Sequence, residues 1–149
     1  MIQQNLAALY HALELRDPEL SLVLTDDSHI HALNREWMGE DCPTDVLSFP
    51  LHEPDEIDAD IMALGDVVIS LEYAERLVDS QDHQRRVAEE LGADPAHFAW
   101  SLTHEVAFLL IHSLLHLVGY DHDDAQYEAE MKREERRLWE SIAPALAAS

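Results

Sequence analysis

Residues 112–122 read HSLLHLVGYDH, and their three histidines stand at relative positions zero, four and ten. On an α-helix, residues four apart are about 40° out of alignment, so His112 and His116 project from one face, one turn apart. The same helix cannot present His122, which requires the chain to turn back. Gly119 permits that turn, because a residue without Cβ readily takes the left-handed conformation that ends a helix. The stretch predicts a helix with two imidazoles and a turn that returns a third.

This arrangement indicates a metal site. A lone histidine on an apolar helix is usually a core residue, but three histidines with a correctly placed glycine are typical of metal ligands. Three neutral imidazoles with an open fourth position form the ligand set of a catalytic zinc ion. We therefore expect one Zn²⁺ per chain, bound by His112, His116 and His122. Nickel, copper or iron would also fit such ligands.

The spacing H-x-x-x-H-x-x-G-x-x-H is also that of the metzincin peptidases. Those enzymes place a glutamate directly after the first histidine, where it acts as general base. This chain has Ser113 at that position, and a serine has neither the charge nor the basicity to take a proton from a metal-bound water. The sequence keeps the peptidase ligand spacing without the peptidase base.

The stretch resembles the signature H-G-x-L-H-L-x-G-Y-D-H of the YbeY-type bacterial rRNA maturation factors, with Ser113 in place of the family glycine. The resemblance covers about residues 20 to 135. It extends upstream through Leu33-Asn34, the segment 43–50 (PTDVLSFP) and Leu64-Gly65-Asp66.

This resemblance implies a zincin-like fold and a metal-dependent endoribonuclease specific for single strands. It further implies a role in the maturation of the small-subunit rRNA 3′ end and in ribosome quality control. The expected partners are ribosomal RNA and the small ribosomal subunit, with no membrane and no DNA.

Besides Ser113, the chain lacks two basic residues of the family pattern. The family motif L-N-x-x-Y-R ends in an arginine, whereas this chain has Met38 there, and the basic residue that the family usually carries before Pro43 is Cys42. A phosphoryl-transfer site benefits from a cation that stabilises developing charge. Arg35 is the nearest candidate for a catalytic substitute, and an ordinary solvated arginine is the alternative interpretation.

Three polar residues around the strand that follows Pro43 are candidates to line a substrate cleft: Thr44, Asp45 and Ser48. The alternative is a local role, because threonine and aspartate before a strand often only satisfy nearby backbone groups.

The net charge of −22 bears on any nucleic-acid function. Lys and Arg supply much of the affinity of proteins for phosphates, so this surface mostly repels RNA and predicts modest, salt-sensitive binding. A single cysteine excludes an internal disulfide and fits a reducing compartment. Together with the lack of a long apolar run or a signal-like N-terminus, it predicts a cytoplasmic protein.

The patterns along the chain predict one α+β domain over residues 1–149: a small mixed sheet of three or four strands packed with about five helices. Helices are expected over residues 2–16, from about 26 to 37, from about 70 to 81, from Thr103 as cap through the motif, and over 124–146 with an inner stripe of Met131, Leu138 and Ile142. Strands are expected over residues 19–25, 46–50 and 64–70.

Residues 83–97 look like a polar connector with a further helical turn or two, and His83 and His97 are expected at the surface. The motif helix is apolar all round, so it is predicted to be central and buried.

Two other function classes fit the same sequence. A metal-stabilised ribosome-assembly factor without catalysis would keep the histidines and tolerate Met38. A different zinc hydrolase, including a peptidase, would need a base from elsewhere. Glu105 lies about 10 Å from His112 along the helix axis, so it is better explained as stabilising the helix N-terminus than as that base.

Overall fold

A computed structural model describes residues 2–120 and 125–148 of the chain. The fold is α+β, as predicted, with a three-stranded mixed sheet and six α-helices in the described part rather than about five. The elements in chain order are α1 (Ile2–Ala12), β1 (Glu19–Thr25), α2 (Asp27–Met38), β2 (Val46–Pro50), β3 (Ala63–Ser70), α3 (Leu71–Val78), α4 (Gln81–Leu91), α5 (Leu102–Leu117) and α6 (Ala125–Ala148).

Strand β3, predicted from its β-branched residues, is the centre of the sheet. It pairs in parallel with β1 and antiparallel with β2, which gives the order β1-β3-β2. β2 therefore lies at an edge, where residues 45–50 can face a groove. Gly65 makes the close pairing possible, because a Cβ there would collide with the carbonyl oxygen of Phe49 on β2.

Helix α5 is the buried centre of the molecule, which confirms the prediction from its apolar residues. Leu110, Ile111, Leu114 and Leu115 are at most 1% exposed. The helix begins under a Ser101 cap, not the predicted Thr103: the Ser101 hydroxyl accepts from the His104 N–H, and the His104 ring accepts from the Ser101 N–H. This reciprocal capping box satisfies two backbone donors, which Thr103 inside the helix cannot do.

The connector predicted over residues 83–97 is wrong, because α4 fills most of it with three turns. The helix predicted to reach Gln81 ends at Val78, and the Ser80 side chain caps a new helix by accepting from the His83 N–H. Val87 then packs with Trp100 and Phe108 in a small apolar cluster. That tertiary contact stabilises a helix whose own sequence is mostly polar.

His83 is also not at the surface, contrary to the prediction, whereas His97 is exposed. The His83 ring is hydrogen-bonded to Glu105, whose side chain is fully buried on α5, and the Trp100 indole N–H donates to the other carboxylate oxygen at 3.4 Å. A buried carboxylate requires such partners. Glu105 thus belongs to a structural network and not to the groove beside His112.

The two terminal helices pack against α5. α1 ends at Ala12, earlier than the predicted residue 16, and the positive φ angles of Glu14 and Asp17 mark a turn there. α6 buries the predicted stripe of Met131, Leu138 and Ile142. Among the described residues, none of the helices has the length and apolar character that crossing a bilayer requires.

Candidate metal centre

His112 and His116 direct their Nε2 atoms toward each other from successive turns of α5. The two nitrogens are 3.0 Å apart, and the rings meet edge to face with centroids 4.6 Å apart. The i, i+4 spacing on a rigid, buried helix sets this geometry, because both side chains point from one face. Two nitrogen lone pairs can therefore converge on one point beside the helix.

Glu135 fixes the orientation of the first imidazole. Its Oε1 atom lies 2.8 Å from His112 Nδ1, and the residue is only 3% exposed. Since the carboxylate accepts the Nδ1 proton, neutral His112 carries its lone pair on Nε2, the atom that faces His116. A carboxylate behind a histidine in this way is the usual arrangement around metal-bound imidazoles.

A second carboxyl group, Glu90 on α4, lies behind Glu135. Burial raises the pKa of Glu90, and the neighbouring Glu135 charge raises it further. A hydrogen bond between the two carboxyl groups also raises the pKa of Glu90. Buried Glu135 therefore has two hydrogen-bond partners, His112 and Glu90.

The turn after α5 has the geometry that the sequence predicts for Gly119. The Tyr120 N–H donates to the Leu115 carbonyl at 2.9 Å and the Gly119 N–H to the His116 carbonyl at 3.1 Å, with φ of Gly119 at 108°. This pair of bonds is a Schellman motif, which reverses the chain at a helix end. His122, the predicted third ligand, lies outside the described residues.

The two described histidines fit an imidazole-bound metal. With zinc–nitrogen distances of about 2.0–2.1 Å and tetrahedral angles, two ligand nitrogens lie about 3.4 Å apart, close to the 3.0 Å observed here. Within residues 2–120 and 125–148, no group of three potential metal ligands comes together. The predicted third ligand, His122, is not one of these residues.

A groove of about 440 Å³ opens beside the histidines. Besides His112 and His116 it is lined by the edge strand and by the turn after α5: Asp45, Val46, Leu47, Ser48, Pro50, Gly119 and Tyr120. Of the predicted cleft residues, the structure thus places Asp45 and Ser48 at the groove but not Thr44. Asp45 also has the local role that was the alternative, since its Oδ1 atom accepts from the Val46 N–H at 2.8 Å and from the Thr44 hydroxyl at 3.2 Å.

The loop before this strand is held by α2. The Asn34 side-chain amide donates to the Cys42 carbonyl at 2.9 Å, and Asn34 is itself buried. Cys42 is an exposed free thiol. The Leu33-Asn34 motif therefore serves to position the segment that leads into the groove wall.

Arg35 and Met38 both lie in the last turns of α2 and are exposed. Neither residue is part of the groove lining, which includes no Lys or Arg among the described residues. Asp41 is close enough to Arg35 for its pKa to be lowered, first by a hydrogen bond with His31 and to a smaller extent by the Arg35 charge. The Arg35 side chain thus sits near Asp41, and its catalytic role stays a prediction.

Ser113, the departure from the family signature, is fully buried and has no hydrogen-bond partner for its hydroxyl among the described residues. Leaving a buried hydroxyl unbonded costs about 1–3 kcal/mol, and alanine is the better helix former.

We expect Ser113→Ala to raise the free energy of unfolding by about 1–2 kcal/mol and the melting temperature by about 3 °C or more. Chemical denaturation measures this. Ser141→Ala is the control, since that hydroxyl donates to the Leu138 carbonyl, and a Ser113→Ala protein less stable than the parent would contradict the assignment.

Comparison with known proteins identifies the family of this chain. The family model described as endoribonuclease YbeY matches residues 1–143. The chain belongs to the endoribonuclease YbeY family. Relatives named endoribonuclease YbeY include one from Pelotomaculum thermopropionicum, 40% identical over 124 residues that make up 82% of this chain and 70% of the relative. One from Desulfitobacterium hafniense is 35% identical over 148 residues, 95% of this chain and 83% of the relative.

One solved structure has a similar fold. A Thermotoga maritima protein solved in solution superimposes with a TM-score of 0.51 and 22% identity, over 99% of this chain and 85% of that one. At this identity the likeness concerns the fold alone.

Sequence reasoning missed Glu135 in this YbeY chain, although a signal was present. Residues 131, 135, 138 and 142 form one stripe on α6, and three of them are the predicted core residues Met131, Leu138 and Ile142. A carboxylate on the buried stripe of a helix needs a partner inside the protein. That rule predicts a partner for Glu135 inside the protein, and the structure identifies it as His112.

Proposed function

We propose that this protein is a zinc-dependent endoribonuclease that cleaves single-stranded RNA during ribosomal RNA maturation, including the 3′ end of the small-subunit rRNA, and in ribosome quality control. The observation that carries the proposal is the convergence of His112 Nε2 and His116 Nε2, backed by buried Glu135, in a chain of the endoribonuclease YbeY family. His122 completes the ligand set in this proposal.

The described residues have separate roles in the proposed reaction. His112 and His116 present nitrogen lone pairs to the groove, and Glu135 keeps the His112 proton on Nδ1. A zinc ion bound there supplies an activated water and Lewis-acid stabilisation of charge on a phosphoryl oxygen. Asp45 and Ser48 border the space where an extended strand of RNA passes the histidines.

Ribosomal RNA and the small ribosomal subunit are the proposed partners, and the cytoplasm is the proposed location. The exposed free thiol of Cys42 supports a reducing compartment. The net charge of −22 opposes extended contact with phosphates, so the proposal includes binding that is modest and salt-sensitive. Neither DNA nor a membrane is a proposed partner.

Arg35 is the proposed cation for the developing phosphoryl charge. Because this side chain is exposed and water screens its charge, we expect Arg35→Ala to lower RNA cleavage by about tenfold, less than the loss of a buried donor. Met38→Arg, which restores the family residue, should raise cleavage. Initial rates on a labelled single-stranded RNA measure both effects. Arg16→Ala is the control, since Arg16 pairs with Asp60 at the surface. If Arg35→Ala and Met38→Arg both cleave at the rate of the parent, no cation from α2 acts at the metal site.

The function itself is tested by assaying zinc-loaded and chelator-treated protein on single-stranded RNA, double-stranded RNA and peptides. Internal cleavage of the single strand alone, lost with the chelator and regained with zinc, is the expected result. Cleavage of peptides would identify a different zinc hydrolase. Zinc retention without cleavage of any substrate would identify a non-catalytic assembly factor. The absence of the family arginine, replaced here by Met38, favours that alternative.

A further inference from the structure

A second groove, of about 600 Å³, lies between α4 and α6. Five of the nine Lys and Arg residues of the chain line it: Arg86, Lys132, Arg133, Arg136 and Arg137. Three glutamates, at positions 89, 90 and 140, complete its lining. On a protein with a net charge of −22, this α4–α6 groove therefore concentrates most of the positive charge.

Two of the five cationic side chains bind groups of the protein itself. Arg136 donates from Nε and Nη2 to the Glu90 carbonyl at the end of α4, at 3.1 and 2.9 Å. Arg137 donates to the Glu134 carboxylate and, at 2.9 Å, to the Ala12 carbonyl. These arginines fasten α6 to α4 and to the end of α1.

The other three cations are available to a ligand. Arg86 and Arg133 are exposed and form no ion pair with any described carboxylate, and Lys132 pairs only with Glu128 at the surface, at 3.3 Å. Such exposed pairs contribute little, so a ligand can replace them. Arg86 comes from α4, whereas Lys132 and Arg133 come from α6, and repeated charge along one helix therefore does not explain the set.

The chemistry of the α4–α6 groove favours phosphate groups. A guanidinium presents a planar fork of donors that matches phosphate oxygens, and an open groove with several cations suits a chain of phosphates better than a single anion.

The position of the groove relates it to the metal centre. Glu90 lines the groove and is hydrogen-bonded to Glu135, which in turn holds His112. Glu135 therefore separates the α4–α6 groove from His112, with one hydrogen bond on each side.

We propose that the α4–α6 groove binds the phosphodiester backbone of the single-stranded RNA substrate through Arg86, Lys132 and Arg133. This inference rests on the proposed function for the identity of the polyanion. It explains how so acidic a protein binds RNA: a local positive surface acts while the rest of the surface repels.

The salt dependence of binding tests the proposal. For single strands, log K falls with log salt by about 0.7 for each neutralised phosphate, so three free cations predict a slope of about −2. The double variant Arg86→Gln/Arg133→Gln should reduce the steepness by about 1.4. The control variant Arg16→Gln/Arg85→Gln removes the same charge outside the groove lining and should keep the parent slope.

Zinc-loaded full-length protein is titrated with an unstructured single-stranded RNA between about 50 and 200 mM salt, and the RNA is checked for intactness on a gel. A flatter slope for the groove variant alone supports the proposal. Equal slopes for parent and groove variant, or equal flattening in both variants, overturn it even if the RNA is cleaved. Groove-dependent binding of polyglutamate without binding of RNA also overturns it and identifies an acidic protein as partner. If the slope changes as expected but no RNA is cleaved under any condition, the groove stands and the proposed function fails.

Discussion

Replacing His116 by alanine is expected to release zinc from the protein. Its Nε2 atom lies 3.0 Å from His112 Nε2, so each imidazole supplies one of the two described nitrogens that converge on the site. Zinc sites with a full set of ligands bind with about 10–16 kcal/mol, so the loss of one ligand removes several kcal/mol, a fall in affinity of about 10³-fold or more. Metal content after dialysis, measured by emission spectrometry, should fall from about one equivalent to near zero.

The same measurement on other histidines defines the ligand set. His112→Ala and His122→Ala should also lose zinc, while His97→Ala, at an exposed position on another segment, should keep it. Full zinc occupancy in His122→Ala together with loss in His112→Ala would show that the three-ligand set, with Gly119 as its turn, is wrong.

Glu135→Gln is expected to lower the zinc affinity by about 10- to 100-fold, the usual effect of removing the carboxylate behind a metal-binding imidazole. The amide has the shape of the carboxylate but no charge. It therefore holds the His112 Nδ1 proton less firmly and makes Nε2 a weaker donor. Competition with a chromophoric chelator measures the affinity without reference to catalysis.

A matched control lies one residue away. Glu134→Gln removes the same charge from α6, but Glu134 pairs with Arg137 and not with a histidine, so its zinc affinity should equal that of the parent. Glu135→Asp keeps the charge and should recover part of the loss. Equal zinc affinities for Glu135→Gln and Glu134→Gln would mean that Glu135 does not position His112.

Where the sequence predicted well, local pattern and tertiary environment agree. The β-branched run of β3 is fully consistent with a central strand, and the all-round apolar surface of α5 leaves only a buried position. The positions of His112 and His116 follow from helix geometry alone. For α2 the sequence offers Asp26, Asp27 and Ser28 as possible caps, and the structure selects Asp26, whose side chain accepts from the His29 N–H.

Where the sequence failed, the deciding contact is distant along the chain. The sequence of α4 is mostly polar, and its stability depends on Val87 packing with Trp100 and Phe108, contacts that no local pattern contains. The bond between Glu135 and His112 spans 23 residues. The α4–α6 groove likewise depends on how two helices meet, so the free cations Arg86 and Arg133 cannot be recognised as neighbours before the fold is known.

The proposed nuclease activity is tested most directly by the rate at which the parent and His116→Ala cleave a single-stranded ribosomal RNA fragment internally. Both proteins are equilibrated with zinc, and the RNA products are resolved on one denaturing gel. We expect cleavage by the parent that a chelator stops and that zinc restores, and no cleavage above background by His116→Ala. Equal cleavage by the two proteins, or cleavage by the parent that persists after zinc removal, would contradict a nuclease centred on these histidines.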